Sequence, residues 1–178
     1  LAAKDTLANF FGGMSLFLDR PFKKGDFVVL GTGERGAISE VGLRSTRIIT
    51  KDDISICIPN SLITNTKIIN ESAPEPHQRV RIKVGVAYGS DLDDVEHALL
   101  TVATSEKMVR PAPEPRVRFR AFGDSSLEYE LLCWVGSARE RGLARHKLNK
   151  AIYDLFNSKG IIFPFPQREL YVRNAERS

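Results

Sequence analysis

The side chains best suited to chemistry in this chain are three histidines, two cysteines and two short acidic clusters. His77, His97 and His146 stand far apart, and none has a cysteine or carboxylate at the spacing a zinc site uses. Cys57 and Cys133 fall inside apparent strands and make no spaced metal motif, which fits a reducing compartment. Asp52-Asp53 reads as a hairpin turn. Asp91, Asp93 and Asp94 read as the first turn of a helix, where carboxylates meet the positive end of the helix dipole. Gly31-Thr32-Gly33 has no helix after it to hold a phosphate, so it is turn chemistry. No nucleophile–base set stands out. The expected catalytic set is therefore none, with no metal and no cofactor, and a hydrolase is the most distant reading.

The remaining informative residues shape elements. Leu1 to Asp19 predicts a helix, and Leu7 to Leu18 carries no charge. That run is shorter than the roughly 20 apolar residues needed to span a bilayer. Ala8 and Gly12 are four apart, and Ala2, Asn9 and Gly13 extend the small surface. A glycine inside a helix costs about 1 kcal/mol relative to alanine, so adjacent Gly12 and Gly13 imply close approach of a neighbouring helix. The rival reading is an amphipathic core helix of a soluble domain. A start at Leu1, within an apolar helix, is what a piece of a longer protein would show, and no secretory leader is expected. Arg20-Pro21-Phe22 stops the helix, and Lys23-Lys24-Gly25-Asp26 turns behind it.

After Pro21 the pattern predicts five short strands: 26–30, 36–41, 45–50, 54–58 and 67–70. Ile54, Ile56 and Ile58 alternate onto one face, and Pro59-Asn60-Ser61 stops that strand. Such a set reads as a small, strongly bent barrel or sandwich. Ala73-Pro-Glu-Pro-His77 is the expected linker. Beyond it the order is βαββαβ, a ferredoxin-like arrangement. It comprises a strand over 79–88, a helix from Asp91 to about Lys107 capped by Ser90, and strands over 116–122 and 127–135. A helix over 138–159 closed by Gly160 follows, then a last strand over 169–173. Leu92, Val95, Leu99 and Val102 face inward on the first helix, and Leu148, Ile152, Leu155 and Phe156 on the second. The fold class expected is α+β.

The net charge of +4 is spread along the chain with no basic block, so it permits nucleic-acid binding without arguing for it. A soluble RNA-binding or scaffold module built on an Sm-like barrel is the alternative function. It needs exposed aromatics on central strands, whereas Phe119 and Phe122, three residues apart, are expected on opposite faces.

Taken in order, several motifs resemble the small-conductance mechanosensitive channels of bacteria and their organellar relatives. They are Leu7-Ala-Asn-Phe-Phe-Gly-Gly13, Asp19-Arg-Pro-Phe22, Gly25-Asp26, Gly42-Leu-Arg-Ser-Thr-Arg47 and Ile58-Pro-Asn-Ser61. Gly85-Val-Ala-Tyr88 and Gly160-Ile-Ile-Phe-Pro-Phe-Pro-Gln167 complete the set. The resemblance implies three domains: 1–21 the lower part of a pore-lining helix, 22–73 an Sm-like five-strand β domain, and 78–173 a ferredoxin-like cytoplasmic domain. It implies pore-lining or gating positions at Leu1, Asp5, Ala8, Gly12 and Gly13. Leu1 falls near a leucine ring that closes the pore, and Asp5 stands where well-studied members carry a kink glycine. It implies a membrane-interface and domain junction at Arg20, Pro21, Phe22, Gly25, Asp26, Pro59 and Asn60. Phe10, Phe11, Phe17 and Phe22 are candidates to face lipid or a neighbour, and Asn60 is a candidate cap after Pro59. It further implies a homoheptamer in the cell inner membrane, tension-gated and releasing ions and small solutes on hypo-osmotic shock. The bilayer would be reached through helices preceding Leu1, no nucleic acid would be bound, and the last strand near Tyr171 would join a small parallel barrel.

Overall fold

The protein is described by a computed structural model over residues 2–171. The chain divides into two compact units, and the division falls between Gln78 and Arg79.

The first unit runs α1 (Ala2–Asp19), β1 (Phe27–Leu30), β2 (Arg35–Val41), β3 (Ser45–Ile49), β4 (Ser55–Pro59), α2 (Asn60–Thr64) and β5 (Ile68–Asn70). The strands form one sheet in the order β4-β3-β2-β1-β5, each neighbouring pair antiparallel. Tight turns explain the order. Leu30 N–H donates to Glu34 O across the Thr32-Gly33 turn, and Thr50 N–H donates to Ile54 O across Asp52-Asp53. Asp53 sits at φ 59, a left-handed conformation that aspartate tolerates. The buried side chains Val28, Leu30, Ile38, Ile48, Ile58 and Ile63 make a core that Leu16 and Phe22 join. Burying each such side chain contributes about 1.5–3 kcal/mol.

Where the sequence predicts a simple strand stop at Pro59, the structure starts α2. Pro59 supplies φ −58 ahead of it, compatible with the helix start. Only the end of the isoleucine alternation is buried: Ile58 is inside, while Ile54 lies before β4 and is exposed.

The second unit runs β6 (Gln78–Val86), α3 (Leu92–Ser105), β7 (Arg116–Phe122), β8 (Leu127–Val135) and α4 (Arg141–Lys159). Its sheet has the order β6-β8-β7. Val80, Ile82, Val84 and Val86 of β6 share one core with Leu131, Cys133 and Val135 of β8. Val95, Leu99 and Val102 of α3 and Leu148, Ile152 and Phe156 of α4 close it from the helix side. Alternation explains this, since every second residue of a strand points to one face. Gly160, at φ 70, ends α4 by donating its N–H to Phe156 O and Asn157 O.

Four expectations change here. Asp91 rather than Ser90 caps α3, its carboxylate accepting from Asp94 N–H, while Ser90 Oγ donates to Ala87 O. Leu92 is exposed, because the helix begins there and its first turn overhangs the core. No strand is present over 169–171, and the rest of that expected strand, Val172 and Arg173, lies outside the described residues. Finally, Phe119 and Phe122 share a face. The register of β7 on β8 shifts between Phe119 and Ala121, so Arg120 is an extra residue and the alternation reverses after it. The two rings meet edge to face at 4.9 Å, and Phe119 also packs on Tyr129 at 5.2 Å.

Candidate functional site

The expected site residues of the first unit gather at two places on α1. The first is the face that carries Gly12 and Gly13. A Cβ on Gly12 would lie 3.1 Å from the Asn60 carbonyl carbon and 3.1 Å from Ser61 N. A Cβ on Gly13 would lie 2.1 Å from Leu43 O and 2.8 Å from Asn60 Nδ2, distances no real Cβ adopts. Glycine there lets the α1 backbone rest on α2 and on the loop between β2 and β3. Leu16, one turn on, continues this buried face into the core.

Asn60 is the centre of that contact and is fully buried. Its Nδ2 donates to Gly42 O at 2.9 Å, and its Oδ1 accepts from Thr46 Oγ1 at 2.9 Å. Its N–H donates to Arg44 O at 2.9 Å, and its carbonyl accepts from Thr64 Oγ1 at 3.0 Å. The side chain therefore does not cap α2 as expected. It turns inward and ties α2, β3 and the Gly42–Arg44 loop together beneath the glycines. A buried amide is stable only when both its ends are satisfied, and here they are.

The second place is the end of α1. Arg20 takes φ 45, the left-handed C′ conformation usually given to glycine, and its N–H donates to Leu16 O at 3.1 Å. Its Nε donates to Phe17 O at 3.3 Å, and its guanidinium lies 5.3 Å from the Phe17 ring centroid. Arginine thus meets the negative end of the helix with its own charge. Asn70 Nδ2 then joins two segments, donating to Pro21 O at 3.1 Å and to Asp26 Oδ2 at 2.8 Å. Asp26 Oδ2 also accepts from Lys23 N–H at 3.1 Å, closing the turn in which Gly25 sits at φ 95. Phe22 is not lipid- or neighbour-facing: it is 5% exposed and belongs to the core, because the turn folds it under the sheet.

The opposite face of α1 is uncovered. Leu7, Phe10, Phe11, Met14, Phe17 and Leu18 are exposed, from 43% at Met14 to 74% at Leu18. Their spacing of i, i+3, i+4, i+7 makes one apolar stripe. Asp5 and Ala8 are carried by the same helix, and Leu1 lies outside the described residues. Leu43, Thr46 and Asn70 complete the two contacts, and no site role was expected of them. Thr46 carries a signal, as a polar residue at a position where the strand pattern faces inward. Leu43 and Asn70 carry none, since their roles depend on chain paths that only folding brings together.

The rest of the chemistry is structural. Among the described residues no three His, Cys, Asp or Glu stand close enough to hold a metal ion. Burial pushes the Cys133 thiol up to about 11. Burial, with the charges of Glu96, Asp93 and Asp91 behind it, raises the Tyr129 phenol above its usual value. Neither group is poised as a nucleophile. No helix among the described residues is long and apolar enough to cross a membrane.

An apolar helix seated on an antiparallel β sheet, followed by a second α+β unit, defines a class that comparison makes specific. The family model "Mechanosensitive ion channel, beta-domain" matches residues 5–73, and "Mechanosensitive ion channel MscS, C-terminal" matches residues 80–163. The mechanosensitive channel MscK of Escherichia coli is 35% identical over 96% of this chain, which spans 15% of that protein. The small-conductance mechanosensitive channel of Edwardsiella ictaluri is 33% identical over the whole chain, which spans 61% of it. The crystal structure of Helicobacter pylori MscS in its closed state superposes with a TM-score of 0.85 at 27% identity, covering 98% of this chain and 68% of that one. The chain belongs to the MscS family of mechanosensitive ion channels.

Proposed function

We propose that the chain forms the inner end of the pore and the cytoplasmic body of a tension-gated channel. The channel opens on hypo-osmotic shock and releases ions and small solutes. In this reading 1–21 is the lower part of the pore helix, 22–73 an Sm-like β domain and 78–173 a ferredoxin-like cytoplasmic domain. Leu1, Asp5 and Ala8 line or gate the pore, Gly12 and Gly13 act in gating through their seat on Leu43 and Asn60, and Arg20, Pro21, Phe22, Gly25, Asp26, Pro59 and Asn60 form the membrane-side junction. The intact protein is a homoheptamer of the cell inner membrane, reaching the bilayer through helices that precede Leu1, and it performs no catalysis. The expected last strand near Tyr171 forms only where neighbouring copies of the assembled channel supply a pairing partner, since a lone strand has none.

One observation carries the reading. Among the described residues nothing covers the apolar stripe of α1, while its glycine face is held by Asn60 and Leu43. A patch of six large apolar side chains on one helix marks a surface meant for lipid or protein. Its attachment to α2 and the β2–β3 loop gives a route by which movement of the helix reaches the β sheet of its own unit. Tension favours the state of larger in-plane area, so it biases a closed–open equilibrium without chemistry. The test is native mass spectrometry and patch recording under suction with membrane helices joined ahead of Leu1. A seven-subunit assembly with tension-activated current is expected. A monomer or dimer without such current would remove the proposal.

A further inference from the structure

The second unit has a second feature that its own core does not use. One face of its sheet packs on α3 and α4; on the other Glu130 and Leu132 of β8 are buried, while the cations of the flanking strands are exposed. On β6 the exposed side chains are Arg79, Arg81 and Lys83, alternating with the buried Val80, Ile82 and Val84. On β7 they are Arg116, Arg118 and Arg120. Alternate strand residues stand about 6.6–6.8 Å apart, so the three cations of β6 form a regular row. Two acids share the face, Glu128 and the buried Glu130, and Glu130 is neutralised by Arg120 at 2.5 Å. Among the described residues no carboxylate pairs with Arg79, Arg81 or Lys83. Arg81, Lys83 and Arg120 line an open groove of about 670 Å³ together with Glu128 and Glu130.

The matching surface lies on α3. Its first turns carry Asp91, Asp93, Asp94 and Glu96 around the exposed Leu92. Only Asp91 is engaged, as the cap. Because α3 covers the opposite face of the same sheet, the basic row and the acidic turn of one chain point away from each other. Contact between them is open only to separate copies, and a contact between two different surfaces repeats head to tail, closing into a ring where the rotation closes and running on as a filament where it does not. Base-stacking nucleic acid is a poorer fit. Among the described residues this face has no free aromatic: Trp134 lies under the Arg116 guanidinium at 5.7 Å, and Phe119 packs on Tyr129 at the core.

We propose that the basic rows of β6 and β7, on the outer face of the sheet, dock the acidic first turns of α3 from a second copy of this chain. The proposal rests on the oligomeric channel reading and names a contact within it. Charge complementarity sets the order of neighbours and speeds their encounter, and salt weakens it.

The test is sedimentation of the chain at about 0.01 M and about 1 M salt. Wild type is expected to associate at low salt and to fall apart at high salt. R81E/K83E and D93K/D94K should each weaken association by about tenfold or more, since each places like charges across the contact. The combined variant R81E/K83E/D93K/D94K should associate again, because its two faces are exchanged in sign. D93N/D94N, gentler on the helix start, should weaken association less than the reversal, and circular dichroism confirms that each variant is folded. Folded reversal variants that associate like wild type overturn the proposal, as does a chain that stays monomeric at low salt. Binding of a single-stranded RNA that R81E/K83E abolishes without altering self-association also overturns it and gives the face to nucleic acid. Patch recording is independent of these outcomes. Tension-activated current from reversal variants that assemble normally leaves the channel reading standing and removes only the docking contact.

Discussion

Gly13 faces the carbonyl oxygen of Leu43 so closely that a Cβ on the glycine would lie 2.1 Å from it. Gly12, its neighbour, would bring a Cβ no nearer than 3.1 Å to the Asn60 and Ser61 backbone. The two glycines therefore differ in what they tolerate. Gly13→Ala must push α1 off the β2–β3 loop and α2 and is expected to destabilise by roughly 1–3 kcal/mol, the range for overpacking. Gly12→Ala needs a shift of a few tenths of an ångström, offset by a gain in helix propensity of up to about 1 kcal/mol. Its net effect should stay within about 1 kcal/mol. Urea unfolding of the two variants side by side measures the difference, and equal midpoints would contradict it.

Asn60 holds the junction from below. Asn60→Leu would leave Thr46 Oγ1 and Gly42 O without their partner inside the fold. Each buried group so stranded costs about 1–3 kcal/mol. Thr46→Val removes one of those groups and should cost less, and the double variant should be less destabilised than the sum, as coupled neighbours are. A strictly additive double-mutant cycle would show that the two side chains do not act together.

Cys133 links stability to pH. Its thiol is held at about 11 against an ordinary value of 9.0, because burial disfavours the thiolate. The native state then keeps a proton that the unfolded chain releases. Stability from this group is fully present below about pH 9 and declines as pH rises toward 11, by a few kcal/mol at most. Cys133→Ala should flatten that decline in a series of melts between these limits. The same burial predicts that a thiol reagent labels exposed Cys57 readily and Cys133 only on unfolding.

Arg120 is the extra residue of the β7 bulge, and its guanidinium holds the buried carboxylate of Glu130. Arg120→Ala leaves that carboxylate unpaired. Arg120 is itself about half exposed, so water softens the loss, and about 1–2 kcal/mol is expected. Arg120→Ala with Glu130→Gln should recover part of it. Chemical denaturation of the single and double variants checks the pair.

Local patterns determined much of this protein. Alternation along 79–86 placed the valines and isoleucine of β6 inside, Gly160 marked the end of α4, and the β7 and β8 limits follow from their flanking turns. The ordered motifs from Leu7 to Gln167, taken together, were enough to point to the family. These features depend on neighbours in sequence, where backbone preference and hydrophobic period act. What the sequence left open needed distant partners. Phe22 enters the core because Asn70 and Asp26 fold its turn under the sheet, and Asn60 turns inward because Thr46 and Gly42 meet it there. Phe119 and Phe122 share a face because β8 imposes a register with one residue to spare. Glycines at 12 and 13 signalled a close neighbour, but which atoms stood there was decided by tertiary packing, since only a folded chain brings Leu43 to within a Cβ of Gly13.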